Sequence, residues 1–234
     1  MLRNRYLRFL LPCVAASLVV GCNYSTNEDI TVAEGNTFSG NAATINGNVK
    51  VEKDADASES SFKTVNGNVV VEDGARVRDC ATVNGSVKIG DRTKAGDLRT
   101  VNGDMRVGRD ARVDGHIQLV NGSVDLAPGS EVLGDVGTVN GLIEMRSARV
   151  EGDIKNTNGG MMILEGSEVF GDLTVKEAGD DPHTKPPKIV VGEGVRIRGK
   201  LVFERPVELY VHDTAEIGPV TGAKVNRYSG SETG

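Results

Sequence analysis

Wrapped at about 18 residues, the sequence places its apolar side chains in columns. One column holds Val49, Val69, Val87, Met105, Val124, Ile143 and Met161, and another, two residues on, holds Val51, Val71, Ile89, Val107, Leu126, Met145 and Ile163. Between them stand Lys50, Val70, Lys88, Arg106, Asp125, Glu144 and Met162. Apolar, mostly polar, apolar predicts a half-buried strand. A further inward column reads Val77, Ala95, Val113, Val132, Val150 and Val169, followed by Cys80, Leu98, Ile117, Val136, Ile154 and Leu173. A third side is expected to end at Val65, Val83, Val101, Val120 and Val139.

Those valines precede a recurring Thr-Val-Asn-Gly word whose asparagines are Asn46, Asn66, Asn84, Asn102, Asn121, Asn140 and Asn158, spaced 20, 18, 18, 19, 19 and 18 residues apart. A period of this size marks supersecondary units that stack. Asn-Gly between apolar runs is also a hairpin signal, but a hairpin meander does not require the same residue type in every column at one period. The expected fold is therefore all-β: a single-stranded parallel β-helix of three short sides and about 18–19 residues per coil. Eight or nine coils at about 4.8 Å each would make a rod roughly 40 Å long. The Asn corners would superimpose, with asparagine tolerating a left-handed backbone and its amides bonding up the rod as a structural ladder.

The ends depart from the rhythm. Arg3, Arg5 and Arg8 precede the apolar run Phe9 to Val20, a signal-peptide layout too short to span a membrane, which needs about 20 residues. Leu18-Val19-Val20-Gly21-Cys22 resembles the lipobox of bacterial lipoproteins, which implies cleavage between Gly21 and Cys22 and a diacylglycerol on Cys22. Asn23, rather than Asp, after that cysteine implies sorting to the outer membrane, facing the periplasm. The organisation read from the chain is a signal peptide over 1–21, a lipidated cysteine and tether over 22–35, a repeat β-helix over 36–175, an inserted Pro-rich loop over 176–188, terminal coils and cap over 189–220, and a flexible tail over 221–234.

Composition narrows the picture. The 234 residues include 30 glycines, five Phe, four Tyr and no Trp, which suits a thin interior filled by aliphatics. Loss of the leader removes three of 27 basic groups and none of 33 acidic ones, leaving a net charge of −9. Nucleic acid is not an expected partner of so acidic a chain. Cys13 leaves with the leader and Cys22 carries lipid, so Cys80 has no disulfide partner.

The segments Ser147-Ala148-Arg149-Val150-Glu151-Gly152-Asp153-Ile154 and Gly166-Ser167-Glu168-Val169-Phe170-Gly171-Asp172-Leu173 resemble bactofilin repeats, and the earlier Thr-Val-Asn-Gly coils resemble putative-adhesin β-solenoids of bacterial envelopes. The resemblance implies a right-handed triangular β-helix and end-to-end self-association without nucleotide. Bactofilins act in the cytoplasm, whereas the lipobox sends this chain out of it.

Candidate chemistry is sparse. Asp79, Asp97, Asp135, Asp153 and Asp172, with His116 among them, form a column that could bind divalent cations, or could cap turns by accepting backbone N–H groups. Arg76, Lys94, Arg112 and Arg149, interrupted by Glu131 and Glu168, could grip anionic glycans or simply solvate a face. Val191 to Gly199 together with His116 faintly echoes acyltransferase hexapeptides, but the six-residue rhythm is absent from most coils. His183 and His212 are read as exposed. No catalytic set and no cofactor site is expected. The expected function is a non-catalytic, lipid-anchored envelope scaffold or interaction rod whose partners are the membrane, further copies joined at coil ends, or an envelope glycan or protein. The alternative is a polysaccharide-binding or adhesin-type module.

Overall fold

The computed structural model describes residues 19–20, 23–177 and 185–230. It is a parallel β-solenoid in which three strand-bearing sides repeat along the chain. The first side is a sheet of eleven strands, from Ile30–Val32 through Val49–Val51, Val69–Val71, Val87–Ile89, Met105–Val107 and onward to Val225–Tyr228. Each strand pairs in parallel with the same residues one coil away, for example Val87 with Met105 and Ile89 with Val107. The first residue of each triplet points in, the next out and the third in, which puts Val49, Val51, Met105, Leu126, Met145 and Ile163 wholly inside.

The second side is short, with pairs such as Lys94–Ala95, Arg112–Val113, Glu131–Val132 and Arg149–Val150. The third side carries Leu98–Asn102, Ile117–Asn121, Val136–Thr138 and Ile154–Asn156. In the early coils, single strands Asp56–Asn66 and Arg76–Asn84 run through both sides. Because each coil is thin, the core is one continuous column of Val, Ile, Leu and Met with Phe62 as its largest early member.

Small residues line the corner between the first and second sides: Ala55, Ala75, Thr93, Ala111, Ser130, Ala148 and Ser167 are all buried. The residue before each takes a left-handed backbone, at Asp54, Gly74, Arg92, Asp110, Gly129, Ser147 and Gly166. A tight left-handed turn followed by a small inward side chain is what brings the chain round.

The solenoid outruns its expected limits. Asn23–Ser25 pairs with Ala42–Thr44, and Ile30–Val32 with Val49–Val51, so residues expected to be a tether form coil. Val19–Val20 pairs with Phe38–Ser39. At the other end Val225–Tyr228 pairs with Leu209–His212, inside the span expected to be a tail. These coils lack the Asn-Gly word, yet Ile30/Val32 and Leu209/Val211 keep the inward columns. Residues 178–184 of the insertion expected over 176–188, most of the expected leader, and Gly21 and Cys22 lie outside the described residues. Among the described residues no helix is long and apolar enough to cross a membrane.

Candidate functional site

The Asn column forms a continuous amide ladder. Each Nδ2–H donates to the Oδ1 of the asparagine one coil earlier: Asn66 to Asn46, Asn84 to Asn66, Asn102 to Asn84, Asn121 to Asn102, Asn140 to Asn121 and Asn158 to Asn140, at 2.7–2.9 Å. The ladder begins one coil before the repeated word, where Asn46 donates to Asn27 at 2.8 Å. It ends where Arg205 donates to Asn158 Oδ1 at 3.0 Å. Asn27 was within reach of the period, 19 residues before Asn46, but is followed by Glu28 where the word has glycine. Arg205 reaches back from outside the repeats and left no sequence signal.

The geometry corrects two readings of this corner. None of the ladder asparagines has a left-handed backbone; the described non-glycine residues that do are Asp54, Arg92, Asp110, Ser147 and Glu165, at the other corner. The glycine after each asparagine is fixed instead by stacking. A Cβ on Gly67, Gly85, Gly122 or Gly141 would lie 2.0 Å from the carbonyl oxygen of the glycine one coil earlier. Only a hydrogen fits there.

The second correction concerns the valines expected to end an inward side. They face out. Leu98 points in, Arg99 out and Thr100 in, so strand alternation turns Val101 outward. The threonine takes the inward place and satisfies the stacked turn: Thr64, Thr82, Thr100 and Thr138 donate to the carbonyls of Gly47, Gly67, Gly85 and Gly122 at 2.8–3.0 Å. Asn156 does the same for Gly141 at 2.8 Å. Period two applied from Cys80, Leu98 and Ile117 would have found this parity.

The outcome is a ridge of Ile45, Val65, Val83, Val101, Val120 and Val139, each 37–47 % exposed. Beside it on the same side runs the outward column Tyr24, Ala43, Lys63, Ala81, Arg99, Gln118, Gly137, Lys155, Thr174 and Val202, which contains no carboxylate. Where that column narrows to alanine or glycine, shallow grooves of about 440 and 490 Å³ open against the ridge.

The Asp column sits at the corner between the second and third sides. Asp79 Oδ1 accepts the N–H of Asp97 at 3.1 Å, Asp97 that of His116 at 2.8 Å, Asp135 that of Asp153 at 2.9 Å, Asp153 that of Asp172 at 2.9 Å and Asp172 that of Lys200 at 2.7 Å. His116 Nδ1 takes the same place, accepting from Asp135 N–H at 2.9 Å. Each carboxylate thus caps the next coil rather than its own turn. The Asp172 N–H, aided by Lys155, holds the Asp153 carboxyl below its ordinary range. Among the described residues no three His, Cys, Asp or Glu side chains gather to hold a metal ion.

The basic column on the second side is paired. Arg112 bridges Asp114 at 2.7 Å and also contacts Glu131; Arg149 meets Glu151 at 2.6 Å, Glu168 at 3.6 Å and Glu131 at 3.7 Å; Arg196 meets Glu168 at 3.2 Å. Phe170 lies between two guanidinium groups, Arg149 and Arg198, at 4.2 and 4.1 Å from its ring.

Cys80 is buried in the core, and burial pushes its thiol up to about 12. His212 is not exposed as expected: it is buried, meets Thr214 Oγ1 at 2.8 Å and packs edge-on against Tyr228. His183 lies outside the described residues. No known family model, no curated protein and no solved structure matches the chain.

Proposed function

We propose that this chain is a non-catalytic, lipid-anchored rod of the bacterial cell envelope, held at the outer membrane through Cys22 and facing the periplasm, which joins further copies end to end as a scaffold. The supporting observation is the state of the rod's ends. Among the described residues the outermost strands are Ile30–Val32 and Val225–Tyr228 on the first side, and Asn23–Ser25 and Val220–Thr221 on the third. Near them Ile30 and Phe38, and at the other end Ile217, Val220, Ala223 and Val225, are only partly buried against the core. A strand edge with apolar residues behind it is a template for another chain.

Charge selects the orientation. Residues 23–75 carry three basic and nine acidic groups, whereas residues 185–230 carry eight basic and five acidic ones. Joining head to tail opposes a net −6 to a net +3 and continues every sheet in parallel; joining two N-terminal ends opposes like charges. Cleavage before Cys22 would also remove Val19–Val20 from beside Phe38–Ser39 and free that edge.

Electron microscopy of the mature chain over a range of concentrations tests the reading. Filaments that shorten as salt is raised are expected. Monodisperse rods at every concentration would overturn end joining, and if such rods also retain envelope polysaccharide the glycan-binding module takes its place. The anchor is tested by processing: globomycin should block it, and a Cys22→Ser chain that matures normally would refute lipidation.

A further inference from the structure

The described chain has seven exposed large apolar side chains, Tyr24, Ile45, Val65, Val83, Val101, Val120 and Val139, and all of them belong to the third side. That distribution is not shared by the rest of the rod. On the second side the outward positions are ion pairs between Arg and Glu or Asp, and on the first side Lys50 pairs with Glu52 and Glu72. Exposed aliphatics scattered singly need no explanation, whereas aliphatics aligned on one side mark an interaction surface.

We infer that the third side is a bilayer-contacting surface, on which the rod lies lengthwise with its Ile and Val ridge in the lipid headgroup region. The inference rests on the lipid anchor proposed above. Three observations select lipid as the occupant. Asn23, the residue after the expected acylated cysteine, opens the terminal strand of this same side, so the anchor attaches beside it with no tether between lipid and rod. Tyr24, 84 % exposed, stands next to it, and an amphipathic ring at that height suits the membrane interface. The central outward column offers Lys63, Arg99 and Lys155, of which Arg99 also meets Asp97 at 2.8 Å and Lys155 meets Asp153 at 2.9 Å along the edge away from the ridge, and long cationic side chains keep their charge among headgroups while their stems lie over apolar surface. Next to the ridge stand uncharged ladder amides whose hydrogen bonds are already made to one another. The chain's acidity favours a zwitterionic surface over an anionic one.

The test places one fluorophore on each side of the acylated full-length protein in vesicles of phosphatidylethanolamine and phosphatidylcholine. Val101→Cys labels the third side, Lys88→Cys the first and Arg76→Cys the second; Cys80, buried, does not compete for the label. Nitroxide-bearing lipids should quench the label at position 101 severalfold more than those at 88 and 76. Equal quenching at all three would overturn the inference. So would a label at 101 shielded from lipid and aqueous quenchers alike while copies cross-link through that side, since the occupant would then be a second copy. Failure of the anchor is read separately, from the mass of the N-terminal peptide. If Cys22 carries no lipid, the same labels on a Cys13→Ser, Cys22→Ser chain floated with vesicles decide the matter: preserved third-side quenching supports the contact, and chain that does not float with vesicles overturns it. A Val65→Asp, Val120→Asp double variant guards against a labelling artefact and should abolish third-side quenching while its β-sheet circular dichroism is unchanged; retained quenching would overturn the contact.

Discussion

Two of the polar ladders that climb this rod solve the same stacking problem by different chemistry. On the edge of the third side identical asparagines stand one above another, because an amide donates with one atom and accepts with the other, so each satisfies its neighbour. On the second side identical charges would repel. There Arg112, Glu131, Arg149, Glu168, Arg196 and Glu216 alternate in sign up the register. A self-complementary group permits a repeated word, whereas a charge needs a counter-charge, supplied by alternation from Arg112 onward and by Asp56 and Asp114 where Arg76, Lys94 and Arg112 stack on one another. The first leaves a motif in the sequence and the second leaves a column that looks mixed.

The comparison breaks most severely at the glycines behind the amide ladder. In Gly85→Ala the new Cβ would meet the Gly67 carbonyl oxygen at 2.0 Å, and the coils would have to part; a loss of about 3 kcal/mol is expected from urea unfolding. Gly137→Ala on the outward column is the control, with its nearest neighbour at 3.5 Å, and should change stability by less than about 0.5 kcal/mol. Equal effects would mean that stacking contact does not fix the glycine.

One step smaller is the inward threonine. Thr100→Val keeps the shape and removes the hydroxyl that reaches Gly85, leaving a buried carbonyl without that bond at a cost of about 1–2 kcal/mol. The same swap one coil on has a natural counterpart, Leu119, which fills the threonine place and is buried there. Wild-type stability in Thr100→Val would show that the coil stack tolerates an unpaired glycine carbonyl.

These positions also explain what was legible beforehand. The period, the parallel pairing and the first-side columns could be read because Val49 and Val51 recur with little substitution through Met161 and Ile163. The ladder could be read because asparagine is the residue that stacks on itself. The parity of Thr100 and Val101 was misread because both β-branched side chains suit a strand, and hydrophobicity alone chose the valine. The coil ends were misplaced because Asn27-Glu28 and the coils beyond Val220 lack the word while keeping its geometry. The left-handed corner stayed hidden because Asp54, Gly74, Arg92 and Ser147 share a backbone conformation and no side-chain chemistry.

Within the amide ladder, Asn102→Asp exchanges a donor for a second acceptor. It can still accept from Asn121, but at neutral pH it faces Asn84 Oδ1 with no hydrogen to give. A loss of about 1 kcal/mol is expected, recovered below about pH 4 where the protonated acid donates again. A deficit that persists in acid would mean the cost is not the missing donor.

The smallest effect belongs to the other ladder. Arg149 is only half-buried and shares its charge among Glu151, Glu131 and Glu168, so Arg149→Ala should lower the melting temperature less than Asn102→Asp does, and the difference from wild type should close in about 1 M salt. Acid should act on the same side. Asp114 is partly buried, which alone would raise its carboxyl, but Lys94 and Arg112 hold it below the ordinary 3.8. Asp153 is held low first by the Asp172 N–H and then by Lys155. A carboxyl depressed in the fold contributes its stability fully above its unfolded value and loses it as pH falls through the folded one, so both contributions persist at neutral pH and fade below about pH 4. The asparagines carry no titrating group. As pH falls below about 4, amide protection relative to the unfolded chain should therefore drop at Glu131 and Arg149 on the second side before it does at Asn102 and Asn121, and the reverse order would mean that the ladders are coupled through the coil rather than held by their own chemistry.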